Sequence, residues 1–262
     1  MEREKTMEEE LNISEVAESV EMPEELPPEL PASPINKQPG GLDLLIGISI
    51  VWAVEIALGI LLVVWIGPSL ELENHPVPLL VVTLTSGAAT FLVSWWLMCR
   101  KYGKTFTEGF RITRPTRKTA GVSILLAMVM VILLQLFDSL FSISTGEHLF
   151  IKMLETPQSM AVLLVLFVTL PFVEEFYYRG FIYPILEKKL SGVPAALIVI
   201  LWFTAVHVPQ ANGDYLAIPC IMVLGSIFTL QRAVTGSLTA SLITHWIYNA
   251  ILAVITLAAS VA

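Results

Sequence analysis

Long apolar runs, separated by short polar stretches, dominate the chain from residue 42 to its end. A helix that spans a lipid bilayer needs about 20 mostly apolar residues, and most of these runs reach that length. Seven runs satisfy or approach this requirement: 42–66, 77–98, 120–141, a run from 160 past Pro171, 193–208, 215–230 and 237–259. The pattern therefore predicts an all-α, polytopic transmembrane helical bundle of about 7–8 spanning helices.

The first 41 residues differ from the rest of the chain in charge and composition. They contain eleven glutamates and three basic residues, so their net charge of −8 equals that of the whole 262-residue chain, and residues 42–262 sum to zero. A Glu-rich segment followed by a Pro-rich run buries too little apolar surface to fold alone, so we expect a disordered acidic tail. The remainder is neutral and apolar, and no basic patch in it suggests nucleic acid as a partner.

The loops between the apolar runs predict how the chain is oriented, because cytoplasmic loops carry an excess of Lys and Arg. The loop at 100–119 has seven basic residues and one acid, whereas the loop at 67–76 has two glutamates and neither Lys nor Arg. We therefore expect the basic loop and the N-terminus to be cytoplasmic. Alternation then puts Lys188, Lys189 and Arg232 on the same side. With no organelle-targeting segment visible, we expect a multi-pass protein of the plasma membrane.

Ionisable side chains inside apolar helices are energetically costly and are typical of functional sites. This chain concentrates them in three apolar segments near its C-terminal end. One segment contains Glu174, Glu175 and Arg179, the next ends at His207, and the last contains His245. Of the four histidines in the chain, these are the two that lie in apolar runs, which indicates a polar site within the membrane.

Helical spacing sorts these side chains into pairs. Glu175 precedes Arg179 by four residues, which is the favourable orientation for an ion pair on one helix face. This pairing leaves Glu174 as the freer carboxylate. The same four-residue spacing puts Asn249 on the helix face that carries His245.

An antiparallel hairpin explains how the first two segments meet. If the chain turns at Ser191, Glu174 and His207 lie at nearly the same depth, within roughly one helical turn of each other. A carboxylate that faces an imidazole at one depth can hold and deprotonate a water molecule.

Structural roles for the same residues must be weighed against a catalytic one. A single Glu–Arg pair in a membrane is more often a structural clasp, and a lone transmembrane histidine is usually hydrogen-bonded to a neighbouring helix. We interpret Glu55 and Asp138, which also lie in apolar runs, as packing or pairing residues, with Arg179 as a candidate partner for either. Three polar segments in sequential helices, with the residue types that hydrolysis needs, nevertheless favour a catalytic site.

The three segments read EEFYYR, FTAVH and HWIYN. In this order and at helix-length spacing they resemble the motifs of the CAAX proteases and bacteriocin-processing enzymes, a family of intramembrane endopeptidases. The resemblance covers residues 160–259 and implies three regions: a tail at 1–41, N-terminal transmembrane helices at 42–141, and a catalytic region at 142–262. The family usually has eight helices, one more than the seven runs found here.

The resemblance implies a role for each residue of the motifs. Glu174 is expected to be the general base that activates a water molecule together with His207. His245 and Asn249 are expected to stabilise the oxyanion of the tetrahedral intermediate. The expected supporting residues are Glu175, Arg179 and Phe203. The implied substrate is a protein or peptide, and whether it carries a lipid is left open.

Two alternatives stay open at this point. In the first, Glu174, His207 and His245 bind zinc, because two His and one Glu form an acceptable catalytic ligand set. No HExxH motif is present on one helix, so we favour a metal-free mechanism with no cofactor. In the second, the protein is a non-catalytic immunity or scaffold relative. A proton-coupled transporter ranks behind both, because no repeated halves are visible in the sequence.

Overall fold

The computed structural model describes residues 38–67, 74–141, 156–211 and 215–261, and these ranges contain helices and no strand. We number the α-helices of the described ranges in chain order. They are α1 (Gly41–Ile66), α2 (Pro76–Met98), α3 (Phe106–Phe110), α4 (Arg117–Phe141), α5 (Pro157–Glu174), α6 (Tyr183–Leu190), α7 (Gly192–His207), α8 (Ala217–Thr235) and α9 (Leu238–Val261).

Membrane-spanning length and composition distinguish most of these helices. In the described ranges, six are long and apolar enough to cross a bilayer, and α7 is a shorter apolar helix. The spans are Gly41–Ile66, Pro76–Tyr102, Arg117–Phe141, Pro157–Leu190, Ala217–Thr235 and Leu238–Ala258. Large apolar side chains of α1 such as Leu45, Ile56 and Val64 are exposed, as expected for a helix with one face toward lipid. The predicted all-α bundle is therefore confirmed, and the chain is an integral membrane protein.

Some sequence-based predictions lie outside the described residues. Residues 1–37 of the predicted acidic tail are among them, as are Glu71 and Glu73 of the predicted outer loop. The division into tail, N-terminal helices and catalytic region, and the cytoplasmic position of the N-terminus, stay predictions.

A π-helix joins α5 to α6 and makes one continuous span of Pro157–Leu190. This π-helix covers Glu175–Ile182, and all eight of its residues are buried. At its end the N–H of Tyr183 donates to the carbonyl of Tyr178, five residues earlier. Wide turns of this kind occur mostly within α-helices and often at functional sites.

The hairpin expected from the sequence is formed by α6 and α7. Ser191 ends α6 and begins α7, with φ = 72° and ψ = 172°. Its N–H donates to the carbonyl of Glu187 (3.1 Å), and its own carbonyl accepts from the N–H of Ala195 (3.3 Å). Helix α8 packs on α7, and α9 packs on α4, α5 and α8, so the C-terminal half of the chain surrounds the π-helix.

Hydrogen bonds between helices fix their relative positions, which apolar contacts alone would define less well. Between α4 and α9, the hydroxyl of Ser123 donates to the carbonyl of Ala240 (3.1 Å), and the hydroxyl of Thr244 donates to the carbonyl of Ser123 (3.2 Å). Where α1 begins, the buried carboxylate of Asp43 accepts from Lys101 Nζ (2.5 Å) and Tyr102 Oη (2.6 Å).

The basic loop between α2 and α4 folds inward against the π-helix. Glu108 accepts hydrogen bonds from the hydroxyl (2.7 Å) and the N–H (2.9 Å) of Thr105, which together cap α3. These bonds stabilise the ionised carboxylate and hold the pKa of Glu108 below its ordinary value. At the end of this capped helix, Phe110 is fully buried. Its ring contacts Phe176 edge-on, with 4.7 Å between the ring centroids.

Candidate active site

The carboxylate of Glu174 lies between two imidazoles from different helices. Glu174 is the last residue of α5, His207 is the last residue of α7, and His245 is in α9. His207 Nε2 is 3.8 Å from Glu174 Oε1, and His245 Nε2 is 3.8 Å from Glu174 Oε2. Helices α7 and α9 therefore each bring an imidazole to the Glu174 carboxylate, a side chain that can exchange protons.

The backbone fixes the tautomer and orientation of His207. Its Nδ1 lies 2.6 Å from the carbonyl oxygen of Phe203, one turn earlier in α7. A carbonyl can only accept, so Nδ1 carries the proton and donates it. In the neutral ring Nε2 is then unprotonated, and it presents a lone pair toward Glu174.

His245 is held from two directions. Its ring stacks on Phe228 of α8, with 4.2 Å between the ring centroids and 18° between the planes. Its Nδ1 lies 3.1 Å from Oε1 of Glu175. This contact turns the other ring nitrogen, Nε2, toward Glu174.

A fully buried ion pair supports His245 from behind. Glu175 and Arg179 are each 0% exposed, and Arg179 Nη1 lies 3.1 Å from Glu175 Oε1. Two further nitrogens of Arg179 donate to helix α8: Nε to Thr229 Oγ1 (3.2 Å) and Nη2 to the carbonyl of Gly225 (3.1 Å). The negative charge of Glu175 is thereby matched by a cation that is itself bonded to α8, although Oε2 of Glu175 is buried without a hydrogen-bond partner in the described part of the chain.

Phe203 connects the ion pair to His207. Its ring centroid is 4.3 Å from that of His207 and 4.5 Å from the guanidinium carbon of Arg179. Gly225 allows the Phe203 ring to lie against α8, because a Cβ at position 225 would lie only 2.9 Å from Phe203 Cδ1. The aromatic ring thus packs into a space that only glycine leaves open.

A second arginine reaches the π-helix from α8. Arg232, which the sequence assigns to the cytoplasmic side by its charge, is 1% exposed, and its Nε donates to the carbonyl of Arg179 (3.2 Å). Widening of the backbone turns leaves carbonyls available to outside donors, and Arg232 satisfies one of them.

Six of the seven residues predicted for the site lie in this arrangement. They are Glu174, His207, His245, Glu175, Arg179 and Phe203. The seventh, Asn249, is half-buried one turn after His245 in α9, and its amide makes no hydrogen bond within the described part of the chain. The roles assigned to these seven residues stay predictions.

Arg179, a candidate partner for Glu55 or Asp138, pairs instead with Glu175, as its spacing predicted. Arg179 is fully engaged by Glu175 and α8. The carboxylate of Glu55 instead accepts a hydrogen bond from the hydroxyl of Ser86 in α2. The i,i+4 pair within one helix is local and needs no approach from a distant segment, which explains why it forms.

Sequence reasoning also missed the contribution of α8. Gly225 and Thr229, which bind Arg179, are four residues apart in an apolar helix. This small-xxx-small spacing, typical of closely packed transmembrane helices, is the signal that could have identified them.

Two cavities adjoin the site. One, of about 440 Å³, is lined by residues of α1, α2, α5, the π-helix and α7, and Glu174 and His207 form part of its wall. The other, of about 380 Å³, is almost wholly apolar and lies between α2, α5 and α9. The two share four lining residues: Thr83, Gly87, Leu170 and Val173. A substrate could therefore contact Glu174 while an apolar group occupies the neighbouring groove.

The described residues include no group of three or more His, Cys, Asp or Glu side chains that could hold a metal ion. Glu174, His207 and His245, the set considered for zinc, lie close together without forming such a group. Nδ1 of each histidine is bound, to Phe203 and Glu175 respectively, and the free Nε2 atoms both face Glu174, so the choice between zinc and a metal-free mechanism stays a prediction.

Comparison with known proteins identifies the region that contains this site. Residues 156–251 match the family model described as Type II CAAX prenyl endopeptidase Rce1-like. No curated protein and no solved structure gives a significant match to the chain. The matched region extends from the start of α5 into α9 and contains all seven predicted site residues. The family predicted from the three motifs is thereby confirmed for the region 156–251.

Proposed function

We propose that this chain, which carries a Type II CAAX prenyl endopeptidase Rce1-like domain at residues 156–251, hydrolyses peptide bonds with a water molecule activated by Glu174 and His207. The family supports an intramembrane endopeptidase in general. The observation that carries the specific mechanism is the position of the Glu174 carboxylate, 3.8 Å from an imidazole nitrogen on each side and at the wall of a cavity.

The distance between Glu174 and His207 suits a shared water molecule. At 3.8 Å, Oε1 and Nε2 are too far apart for a direct hydrogen bond, and a polar contact of this length is often bridged by water. When the His207 ring is neutral, both atoms are acceptors, because Nδ1 then carries the one ring proton. One water molecule can donate a hydrogen to each, which directs its oxygen lone pair toward the cavity.

Hydrolysis then proceeds in two proton transfers. The water oxygen attacks the carbonyl carbon of the scissile bond while Glu174 takes one of its protons. When the C–N bond breaks, Glu174 returns this proton to the leaving amine, and a carboxyl group remains on the other product. His245 and Asn249 would stabilise the intermediate oxyanion. Asn249 is a neutral donor. His245, whose Nδ1 donates to Glu175, would donate from Nε2 in its doubly protonated form.

The substrate we propose is a membrane-associated peptide or protein that carries an apolar group such as a lipid chain. The support is the apolar groove of about 380 Å³ that shares lining residues with the catalytic cavity. The proposed location is the plasma membrane with a cytoplasmic N-terminus. This orientation is supported by the seven basic residues of the 100–119 loop.

Comparison of peptide termini tests the proposal. Membranes are prepared from cells that express, at matched levels, the wild type, Glu174→Gln, or Glu108→Gln as a control glutamate outside the membrane spans. Mass spectrometry of peptide termini should find new ends with the wild type and the control that are absent with Glu174→Gln. Identical termini in all three samples, with each protein folded and abundant, would overturn the proposal in favour of a non-catalytic role.

A further inference from the structure

The cavity beside Glu174 has a second acidic wall that the proposed mechanism does not use. Glu55 lies in α1, opposite α5 and α7, and lines the same cavity as Glu174 and His207. It is the fifteenth of the 26 residues in α1, counted from Gly41, and thus near the middle of a membrane span. Carboxylates at such depth are costly and are typical of substrate or ion pathways.

The described residues leave Glu55 without a countercharge. Its one hydrogen bond there comes from the hydroxyl of Ser86, and no Lys, Arg or His of these ranges forms an ion pair with it. Its side chain is exposed and contributes to the cavity wall. A hydroxyl donor compensates only part of a carboxylate charge, so Glu55 keeps the capacity to bind a cation.

Tyr177 provides an independent indication that a ligand binds here. Its side chain lines the same cavity, the residue is 5% exposed, and its hydroxyl has no hydrogen-bond partner in the described part of the chain. Buried hydroxyls are normally hydrogen-bonded, and an exception calls for a physical reason. A phenol oxygen accepts readily from an ammonium or guanidinium N–H, so it fits the same cationic ligand as Glu55.

The charge of the residues that line the cavity indicates which class of ligand it binds. Glu55 and Glu174 line it, and no Lys or Arg is among its described lining residues. A basic side chain would be paired on entering a low-dielectric site.

We propose that Glu55, together with Ser86 and Tyr177, forms a specificity subsite that binds a Lys or Arg side chain of the peptide substrate close to the scissile bond. This inference rests on the proposed function for its biological meaning, because it names the kind of peptide that the same cavity accepts. The subsite itself binds its ligand whether or not the peptide is cleaved.

A binding experiment with the full chain tests the subsite apart from catalysis. The Glu174→Gln variant is purified in detergent, which prevents turnover and leaves Glu55 as the acidic residue of the cavity wall. The probes are fluorescent, end-capped apolar peptides in which a lysine, or norleucine as its uncharged counterpart, is moved through every position. Binding is measured by fluorescence anisotropy. At one position we expect the lysine peptide to bind about tenfold more tightly, which corresponds to about 1.4 kcal/mol.

Further substitutions in the Glu174→Gln background test whether the lysine preference arises from Glu55 and Tyr177. Glu55→Gln should abolish it, Glu55→Lys should reverse it in favour of a glutamate peptide, and Tyr177→Phe should reduce it a few-fold. Asp138→Asn, a control in an apolar helix away from the cavity, should leave it unchanged. Elution as a single gel-filtration peak establishes that each variant is folded.

Two results would overturn the subsite: equal affinity of lysine and norleucine peptides at every position, or a lysine preference that survives Glu55→Gln. Failure of the proposed function is a separate outcome. It would appear as a lysine preference that depends on Glu55 in a protein that generates no new peptide termini in cells.

Discussion

His207 Nε2 lies 3.8 Å from Glu174 Oε1, although 33 residues and the turn at Ser191 separate the two in the chain. The hydrogen bond from His207 Nδ1 to the carbonyl of Phe203 sets the direction of the ring, and the end of α5 sets that of the carboxylate. Because each group is positioned by its own helix, substitution of either should change the chemistry with little effect on the bundle.

Substitution of the two adjacent glutamates should separate catalysis from stability. Glu174→Gln removes the proposed base and should lower turnover about 100- to 10,000-fold, with little loss of stability. Glu175→Gln leaves Arg179 without its buried countercharge and should chiefly lower the free energy of unfolding. Turnover and thermal unfolding in detergent are measured for both. Loss of turnover in Glu175→Gln alone, with Glu174→Gln still active, would show that the wrong carboxylate was chosen.

The Glu175–Arg179 pair should contribute strongly to stability because both side chains are fully buried. Arg179→Met leaves a buried carboxylate without its cation and should lower the free energy of unfolding by about 3–5 kcal/mol. Arg111→Met is the control, since Arg111 is half exposed and its contact with Glu187 is 3.8 Å long. An exposed pair of this kind contributes about 1 kcal/mol or less. Chemical unfolding in detergent compares the two, and equal losses would contradict the assignment.

Gly225→Ala should disturb the site through packing. The added Cβ would meet Phe203 Cδ1 at 2.9 Å, so the ring or the backbone of α8 must shift, which disturbs the contacts of the ring with His207 and Arg179. Overpacking of this type costs about 1–3 kcal/mol. Gly59→Ala, where a Cβ meets nothing within 4 Å, should instead stabilise α1 by about 0.5–1 kcal/mol. Thermal unfolding of both variants checks the contrast, and a stable, fully active Gly225→Ala protein would refute it.

Ser191→Gly should stabilise the hairpin. With φ = 72° and ψ = 172°, Ser191 occupies a backbone region that is essentially restricted to glycine. Relief of this strain is expected to raise the free energy of unfolding by about 1 kcal/mol. Ser191→Ala retains a Cβ in the same conformation and should bring no gain. A lower unfolding temperature for Ser191→Gly than for Ser191→Ala would be inconsistent with strain at this turn.

Removal of metal ions should leave turnover intact. The proposed base acts on water directly, so this mechanism needs no metal ion. Turnover is measured after dialysis against a strong chelator and again after addition of zinc. Loss of activity that zinc restores would favour the alternative in which Glu174, His207 and His245 bind the metal.

Helix positions were largely predictable because each apolar run had to satisfy the same bilayer thickness. The discrepancies occur where polar residues continue a helix. The run predicted at 215–230 becomes Ala217–Thr235, since Arg232 stays helical and buried by donating to the carbonyl of Arg179. The run from 160 likewise extends through the charged motif to Leu190.

The site was predictable to the extent that its contacts follow from spacing along one helix or across one hairpin. The Glu175–Arg179 pair and the proximity of Glu174 to His207 are of this kind. The bond from Ser86 to Glu55 and the support of Arg179 by Thr229 depend on which helices become neighbours. Apolar composition alone does not determine that choice, because lipid-facing and protein-facing surfaces are similarly hydrophobic.

The π-helix at Glu175–Ile182 also changes the angular phase of the long span. Its wider turns advance each residue by a smaller angle than α-helical turns do, so the side-chain rows of α5 and α6 are rotated relative to each other. Helix α5 accordingly packs on α2 and α9, while α6 packs on α7 and α1. One continuous span can therefore present a different inward face to each half of the bundle, with Glu174 and Glu175 located where that face changes.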